Sequence, residues 1–324
     1  MTSLITNSSA MNALTALRGV NKDLATTQDR ISTGKQVQSA KDNSAYFQIS
    51  ETMKGDRAAY DSINSGLTLT KNSLSTARLG AETIQDLSQQ FLEKVSFAQG
   101  AKGGFAEIQK DLTELVKQME TTLSQSTFNG DDMLGAGSYS EPAATGVTAG
   151  SIDAASGVLT VSTNAGANVG DTRTVVTGIT RAGGTYGTTS IDVKTYDMAS
   201  LVADFKAIVG FDEADPTVGF AANAGEPDDG ATFLAGALAS TEKVLKNVTS
   251  IATGLGQSEK SVENQQEFLN KLVDNIDTGI GGMVDANMEE EAARLQALQT
   301  QQQLATQALS IANSGPSNIM ALFR

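Results

Sequence analysis

The 324-residue chain contains no cysteine, no histidine and no tryptophan, and only four prolines. Without cysteine there are no disulfides and no thiolate metal ligands, so stability has to come from packing or association. Without histidine the commonest general base, metal ligand and near-neutral pH switch is missing, and most hydrolase and metalloenzyme designs have no parts. No catalytic, cofactor-binding or metal-binding residue is assigned. Aromatic residues are 5% of a chain that is 40% hydrophobic, a balance suited to long thin interfaces rather than one thick core. Positive charge is also short, 23 Lys+Arg against 37 Asp+Glu, and the net −14 repels nucleic acid and anionic membranes. No run of about 18 apolar residues marks a membrane span. Neither nucleic acid nor membrane is an expected partner. Residues 1–24 lack the apolar core of a secretory signal, so export would need another route.

The prolines stand at 142, 216, 227 and 316, which leaves 1–141 and 228–315 free for long helices. Apolar spacing supports them. Ala10, Leu14, Leu17, Asn21, Leu24, Gln28 and Ile31 alternate steps of four and three, as a coiled-coil seam does. From Tyr60 a second series, Ile63, Leu67, Thr70, Leu74, Ala77, Ala81, Ile84, Leu87 or Ser88, Phe91, Val95 and Ala98, predicts one helix of roughly 55 residues starting near Asp42, about 80 Å long. The Gly-rich stretch 100–104 reverses the chain, and Phe105, Ile108, Leu112, Leu115, Met119 and Thr122 predict a return helix stopping near Asn129-Gly130. Beyond the middle, Ala237 to Ile276 repeats the pattern and Gly279 to Gly282 interrupts it. A last series, Met288, Leu295, Leu298, Gln302, Ala305, Leu309 and Ala312, predicts a helix ending before Gly315-Pro316. The polar members Asn21, Gln28 and Gln302 would fix register and partner if buried in the seams.

The middle, 138–232, is rich in Gly, Thr, Ser and Ala. Its 12 Asp+Glu and 4 Lys+Arg give −8 of the total charge, so it is expected to face water. β-branched runs at 157–163, 173–180 and 185–196 predict a small β-rich insert with one helix over Met198 to Val209. Carboxylate clusters at Asp212, Glu213 and Asp215, at Asp228 and Asp229, and at Glu289 to Glu291 lack the spacing of a calcium loop. The fold class is mainly α, with long coiled-coil rods built from both chain ends and a small β-rich insert. The domain map is 1–41 with 286–324, 42–137 with 233–285, and 138–232.

The two ends also carry a resemblance. RISTGKQVQSAKDNSAYFQIS, 30–50, resembles the flagellin signature through Arg30, Ser32, Thr33, Gly34, Ser39, Ala40, Lys41, Asp42, Ala45, Ile49 and Ser50. STFNGDDML, with Phe128, Asn129 and Gly130, is similar to the segment after the family's return helix, and ANSGPSNIMALFR, with Asn313 and Arg324, to its C-terminus. Tyr46, Lys35 and Phe323 depart from the pattern and point to a divergent, alphaproteobacterial branch. The resemblance implies a subunit of the extracellular flagellar filament, made for swimming. Its terminal helices would line an inner tube, a helical rod would form the outer tube, and the insert would be variable. It further implies a homo-oligomer in a helical polymer, in which other flagellins can co-assemble. Export by the flagellar apparatus without a cleaved signal, an export chaperone, a cap protein and hook-associated proteins are implied as partners. The alternative is a hook-associated junction protein, which shares similar ends. Lastly, many flagellins expose a stretch similar to LQRVRELAVQ that an animal Toll-like receptor grips; at the corresponding place this chain has Asp86 and Ser88 for the two arginines.

Overall fold

The computed structural model describes residues 7–135, 151–160, 172–180, 187–210, 219–227 and 229–322. The elements are α1 (Ser8–Thr33), α2 (Ser44–Gly100), α3 (Phe105–Gln125), β1 (Ser151–Ile152), β2 (Leu159–Thr160), β3 (Thr172–Thr180), β4 (Gly187–Lys194), α4 (Met198–Val209), α5 (Phe220–Ala224), α6 (Gly230–Val284) and α7 (Met288–Leu322). The protein is mainly helical, with long rods and a few short strands. Two compact units divide it, 1–59 with 272–324 and 60–271, and both α2 and α6 contribute to each.

In the first unit α1 lies along α7. Asn7 caps α1 by accepting from the Ala10 N–H at 3.1 Å, and the helix ends at Gly34, whose φ of 70° is the left-handed conformation that glycine adopts without strain. α6 does not break at Gly279 to Gly282 but continues to Val284. Two of these glycines make room instead: a Cβ at Gly279 would sit 3.1 Å from Met53 Cε, and one at Gly281 2.8 Å from Asp285 Oδ2. α7 likewise does not stop before Gly315-Pro316 but runs to Leu322. A proline inside a helix lacks the N–H that would have bonded the carbonyl four residues back, and its ring crowds that carbonyl. That carbonyl belongs to Ala312, and it accepts instead from Asn7 Nδ2 at 2.8 Å.

In the second unit the buried stripe of α2 is Leu67, Thr70, Leu74, Ala77, Ala81, Ile84, Ser88, Phe91, Val95 and Ala98, stepping by three and four. α6 answers with Ala237, Thr241, Val244, Val248, Ile251, Leu255, Val262 and Leu269. α3 returns along the rod, burying Ile108, Leu112, Leu115, Val116, Met119 and Leu123, and ends at Gln125 rather than near Asn129-Gly130. Asn129-Gly130 forms a separate tight turn. Their φ values are 52° and 78°, and Phe128 and Asp131 exchange backbone hydrogen bonds of 2.9 and 2.8 Å, as in a hairpin turn with two left-handed central residues.

The insert is less exposed than its charge implies. α4 buries Met198, Leu201, Val202, Phe205, Ile208 and Val209, with the Phe205 ring 5.0 Å from that of Phe91. α5 buries Phe220, 5.7 Å from Phe233. The expectation that 138–232 faces water therefore fails for these helices, because their apolar faces complete the rod's core. The acidic residues Asp212, Glu213, Asp215 and Asp228 lie outside the described residues. The strands form two antiparallel pairs, β1 with β2 and β3 with β4, the latter with a bulge between Val176 and Gly178. β3 is strapped to the rod: Tyr60 Oη donates to the Ile179 carbonyl at 3.2 Å, Gln265 Nε2 to that of Thr177 at 3.0 Å, and Arg173 pairs with Asp131.

Candidate assembly interface

The α1/α7 pair is where the sequence places its seam. On α7 the covered positions are Glu291, Leu295, Leu298, Gln302, Ala305, Leu309 and Ala312, in steps of four and three. On α1 they are Ala10, Ala13, Leu17, Val20, Leu24, Thr27 and Ile31. Leu17, Leu24 and Ile31 thus face α7, but Leu14, Asn21 and Gln28 stand on an exposed flank, Leu14 at 37% exposure. Two adjacent stripes of α1 share those three residues, and the covered one completes itself with Ala13, Val20 and Thr27. Desolvating Val20 and Thr27 costs less than desolvating Asn21 and Gln28 amides. That comparison is the signal by which the sequence distinguishes the two stripes.

Three polar contacts fix the register of the pair. Asn7 reaches Ala312 as above. Gln302 Nε2 donates to Asn21 Oδ1 at 2.8 Å across the rim. Arg30 pairs with Glu291 at 3.0 Å, with the carboxylate side chain 7% exposed. An ion pair this covered costs desolvation that offsets its Coulombic attraction, and removing either partner would leave a covered charge uncompensated. α7 begins with Glu289 and Glu290 beside Glu291, an acidic first turn that suits the helix dipole.

The signature residues build the connection between helices. From Gly34 the chain runs against the end of α6: the N–H groups of Gln36 and Val37 donate to the Val284 carbonyl at 2.7 and 3.3 Å, and that of Ala286 to Gly34 at 2.9 Å. Asp42 Oδ2 then accepts from the N–H groups of Gln38 and Ser39 and from the Ser39 hydroxyl. The Ser39 hydroxyl, followed by the two N–H groups, holds the Asp42 carboxyl below the usual carboxylate range. Ser32, Ala40, Lys41 and Asn313 are exposed, Phe128 is half-buried beside its turn, and Arg324 lies outside the described residues.

A polar ladder joins α2 to α6. In the first unit Arg57 pairs with Asp277 at 3.0 Å; in the second Asn64 donates to Asn270 at 2.8 Å, Lys71 pairs with Glu263 at 2.9 Å and Arg78 with Glu259 at 2.6 Å. The α2 members recur every seven residues. The fourth partner in sequence would be Gly256, which has no side chain, so Arg78 lies over it and reaches Glu259.

The ends of the pair carry no charge on either strand: 1–17 and 295–323 contain no Asp, Glu, Lys or Arg. Within them Met11, Leu304 and Ile311 are 63%, 59% and 72% exposed. Two helices alone leave such a seam half covered, so the surface calls for further helices of its own kind. Among the described residues no group of three or more acidic side chains converges as a metal would require, and no helix is long and apolar enough to cross a membrane.

Comparison with known proteins agrees with this geometry. Residues 4–138 match the bacterial flagellin N-terminal helical region and 238–323 the bacterial flagellin C-terminal helical region. Flagellin A of Rhizobium meliloti (strain 1021) is 33% identical, and Flagellin C of the same strain 32%, each alignment covering all of both chains. The flagellin of Brucella melitensis biotype 1 is 33% identical over the whole of both chains. None of these relatives points to a hook-associated protein. This chain belongs to the bacterial flagellins, of alphaproteobacterial type, and is a structural subunit of the extracellular flagellar filament.

Proposed function

We propose that the chain divides its labour as the family resemblance implies. The segments 1–41 and 286–324 form the inner tube, 42–137 with 233–285 the outer rod, and 138–232 the variable part, whose α4 and α5 help to fill the rod. The inner-tube seam is carried by Leu17, Leu24, Ile31, Leu295, Leu298, Ala305, Leu309 and Ala312, with Asn21 and Gln302 aligning the helices. The half-covered, charge-free surface around Met11, Leu304 and Ile311 is the observation that carries this reading, since only neighbouring copies supply helices of matching length. The role is structural and needs neither cofactor nor catalysis. Export through the flagellar apparatus without a cleaved signal, with a chaperone, a cap protein and hook-associated proteins as partners, belongs to the same proposal. Removing about 35 residues from either end should leave a soluble folded rod that no longer elongates filament seeds. Filaments of normal inner tube from such a truncation would sink it.

A further inference from the structure

The second unit carries a knob and a groove that do not meet within one chain. Phe97, one turn before the end of α2, is 68% exposed while its neighbours Val95 and Ala98 are buried. The groove, about 700 Å³ and open, runs along the outer face of α6 over Leu245, Lys246, Thr249, Thr253 and Gln257, walled by the ring of Tyr196. Gly254 lets that ring lie across the helix, since a Cβ there would fall 2.1 Å from the phenol oxygen. Desolvation raises the Tyr196 pKa, so the wall is a neutral aromatic at any physiological pH.

The charges beside knob and groove complement one another in order. Glu93 lies one turn before Phe97 and Lys102 just beyond the helix end, while Glu242 and Lys246 line the groove. None of the four takes part in an ion pair among the described residues. The descending pairs Asn64 with Asn270 and Lys71 with Glu263 make α2 and α6 antiparallel. Along the direction of α2 the knob therefore reads acid, ring, base, and the groove reads Lys246 then Glu242. Two copies pointing the same way bring Glu93 to the Lys246 end and Lys102 to the Glu242 end. A knob of one copy seated in the groove of the next, with the next copy's knob left for a third, is a heterologous contact, and such contacts propagate.

We propose that Phe97 of one copy seats against Tyr196 and Leu245 of the next, with Lys102 facing Glu242 and Glu93 facing Lys246. The contact rests on the filament reading and names one of its lateral surfaces. The natural chain has no cysteine, so an engineered pair reports cleanly. Filaments of the Phe97→Cys, Leu245→Cys double variant, mildly oxidised, should give a ladder of covalent multimers on a non-reducing gel, because a disulfide needs Cα atoms within about 7 Å. Each single variant should give no ladder. Phe97→Ala should fold normally by circular dichroism yet raise the critical concentration for seeded growth about tenfold or more. Glu242→Lys should weaken growth, and Lys102→Glu in the same chain should restore it. Normal growth of Phe97→Ala together with no ladder overturns the contact. Failure of the unmodified chain to elongate seeds overturns the filament reading and the contact with it.

Discussion

Replacing Phe205 with alanine tests whether the insert is an appendage or part of the rod. Phe205 is fully buried, on a helix that lies within the acidic middle of the sequence, and its ring meets Phe91 of α2 at 5.0 Å. Truncating a buried phenylalanine costs about 3–5 kcal/mol, through lost transfer energy and the cavity left behind. The tilted ring pair contributes about 0.5–1.5 kcal/mol of that beyond area. With a urea slope of about 2 kcal/mol per M, the unfolding midpoint of the rod should fall by roughly 1.5–2.5 M. The assay is urea unfolding followed by far-UV circular dichroism, with Phe97→Ala as the control. Phe97 is 68% exposed, so its removal should change the free subunit by no more than about 0.5 kcal/mol. The double variant with Phe91→Ala should be less destabilised than the two single effects added, as expected for residues in contact. A loss under about 1 kcal/mol for Phe205→Ala, or strict additivity with Phe91→Ala, would refute the packing argument. By the same reasoning, deleting 151–225 uncovers Phe91 and α3 and should destabilise the rod, whereas removing only the β3–β4 hairpin should be tolerated far better.

The Asn7 tie gives a second prediction: Asn7→Ala loses both a cap and the donor to the Ala312 carbonyl, about 1–3 kcal/mol in the assembled filament, read from its depolymerisation temperature. In a Pro316→Ala background the helix bonds that carbonyl itself, so the same substitution should cost less; equal losses in both backgrounds would break the link. A third concerns pH. The Asp42 pKa is lowered in the fold, so its contribution is fully present above the unfolded value and is lost as pH falls through the folded one. The protection of the Gln38 and Ser39 amides, measured as exchange relative to the intrinsic rate at each pH, should be constant near neutrality and fall only in acid below the usual carboxylate range, while Asp42→Asn should show the reduced protection at neutral pH. A fourth corrects the receptor comparison. Ser88 is fully buried, donating to the Ile84 carbonyl at 2.6 Å, so of the two arginine positions only Asp86 is exposed, and it bears the wrong sign for the family's contact. Free subunit should activate a Toll-like receptor reporter cell weakly; activation equal to that of an arginine-bearing flagellin would contradict this.

What the sequence discloses here depends on which free energies are local. Heptad stripes are local, and so α2, α3, α6 and α7 are legible, as is α4 at Met198 to Val209. Choosing between adjacent stripes of α1 requires weighing Val20 and Thr27 against Asn21 and Gln28. Spacing alone does not do this, because both stripes share Leu17, Leu24 and Ile31. Helix ends are harder still. Glycine and proline signal a break by what they cost an isolated helix, about 1 kcal/mol for glycine and about 3 for proline. Gly279, Gly281 and Pro316 sit where tertiary partners offset that cost: Met53 and Asp285 occupy the space that side chains would take, and Asn7 satisfies the carbonyl that proline leaves free. The burial of α4 and α5 was hidden for the opposite reason. Segment charge averages over Asp212 to Asp229 and over Phe205 and Phe220 alike, whereas burial is decided face by face. Register within the rods is the finest grain of information, and it resides in pairs more than 180 residues apart, such as Arg30 with Glu291 and Arg78 with Glu259. A chain whose ends must find each other across such separations gains from aligning contacts that are specific rather than strong. A slipped pairing would then leave a carboxylate such as Glu291 buried without its cation, a cost larger than the pair's own contribution to stability.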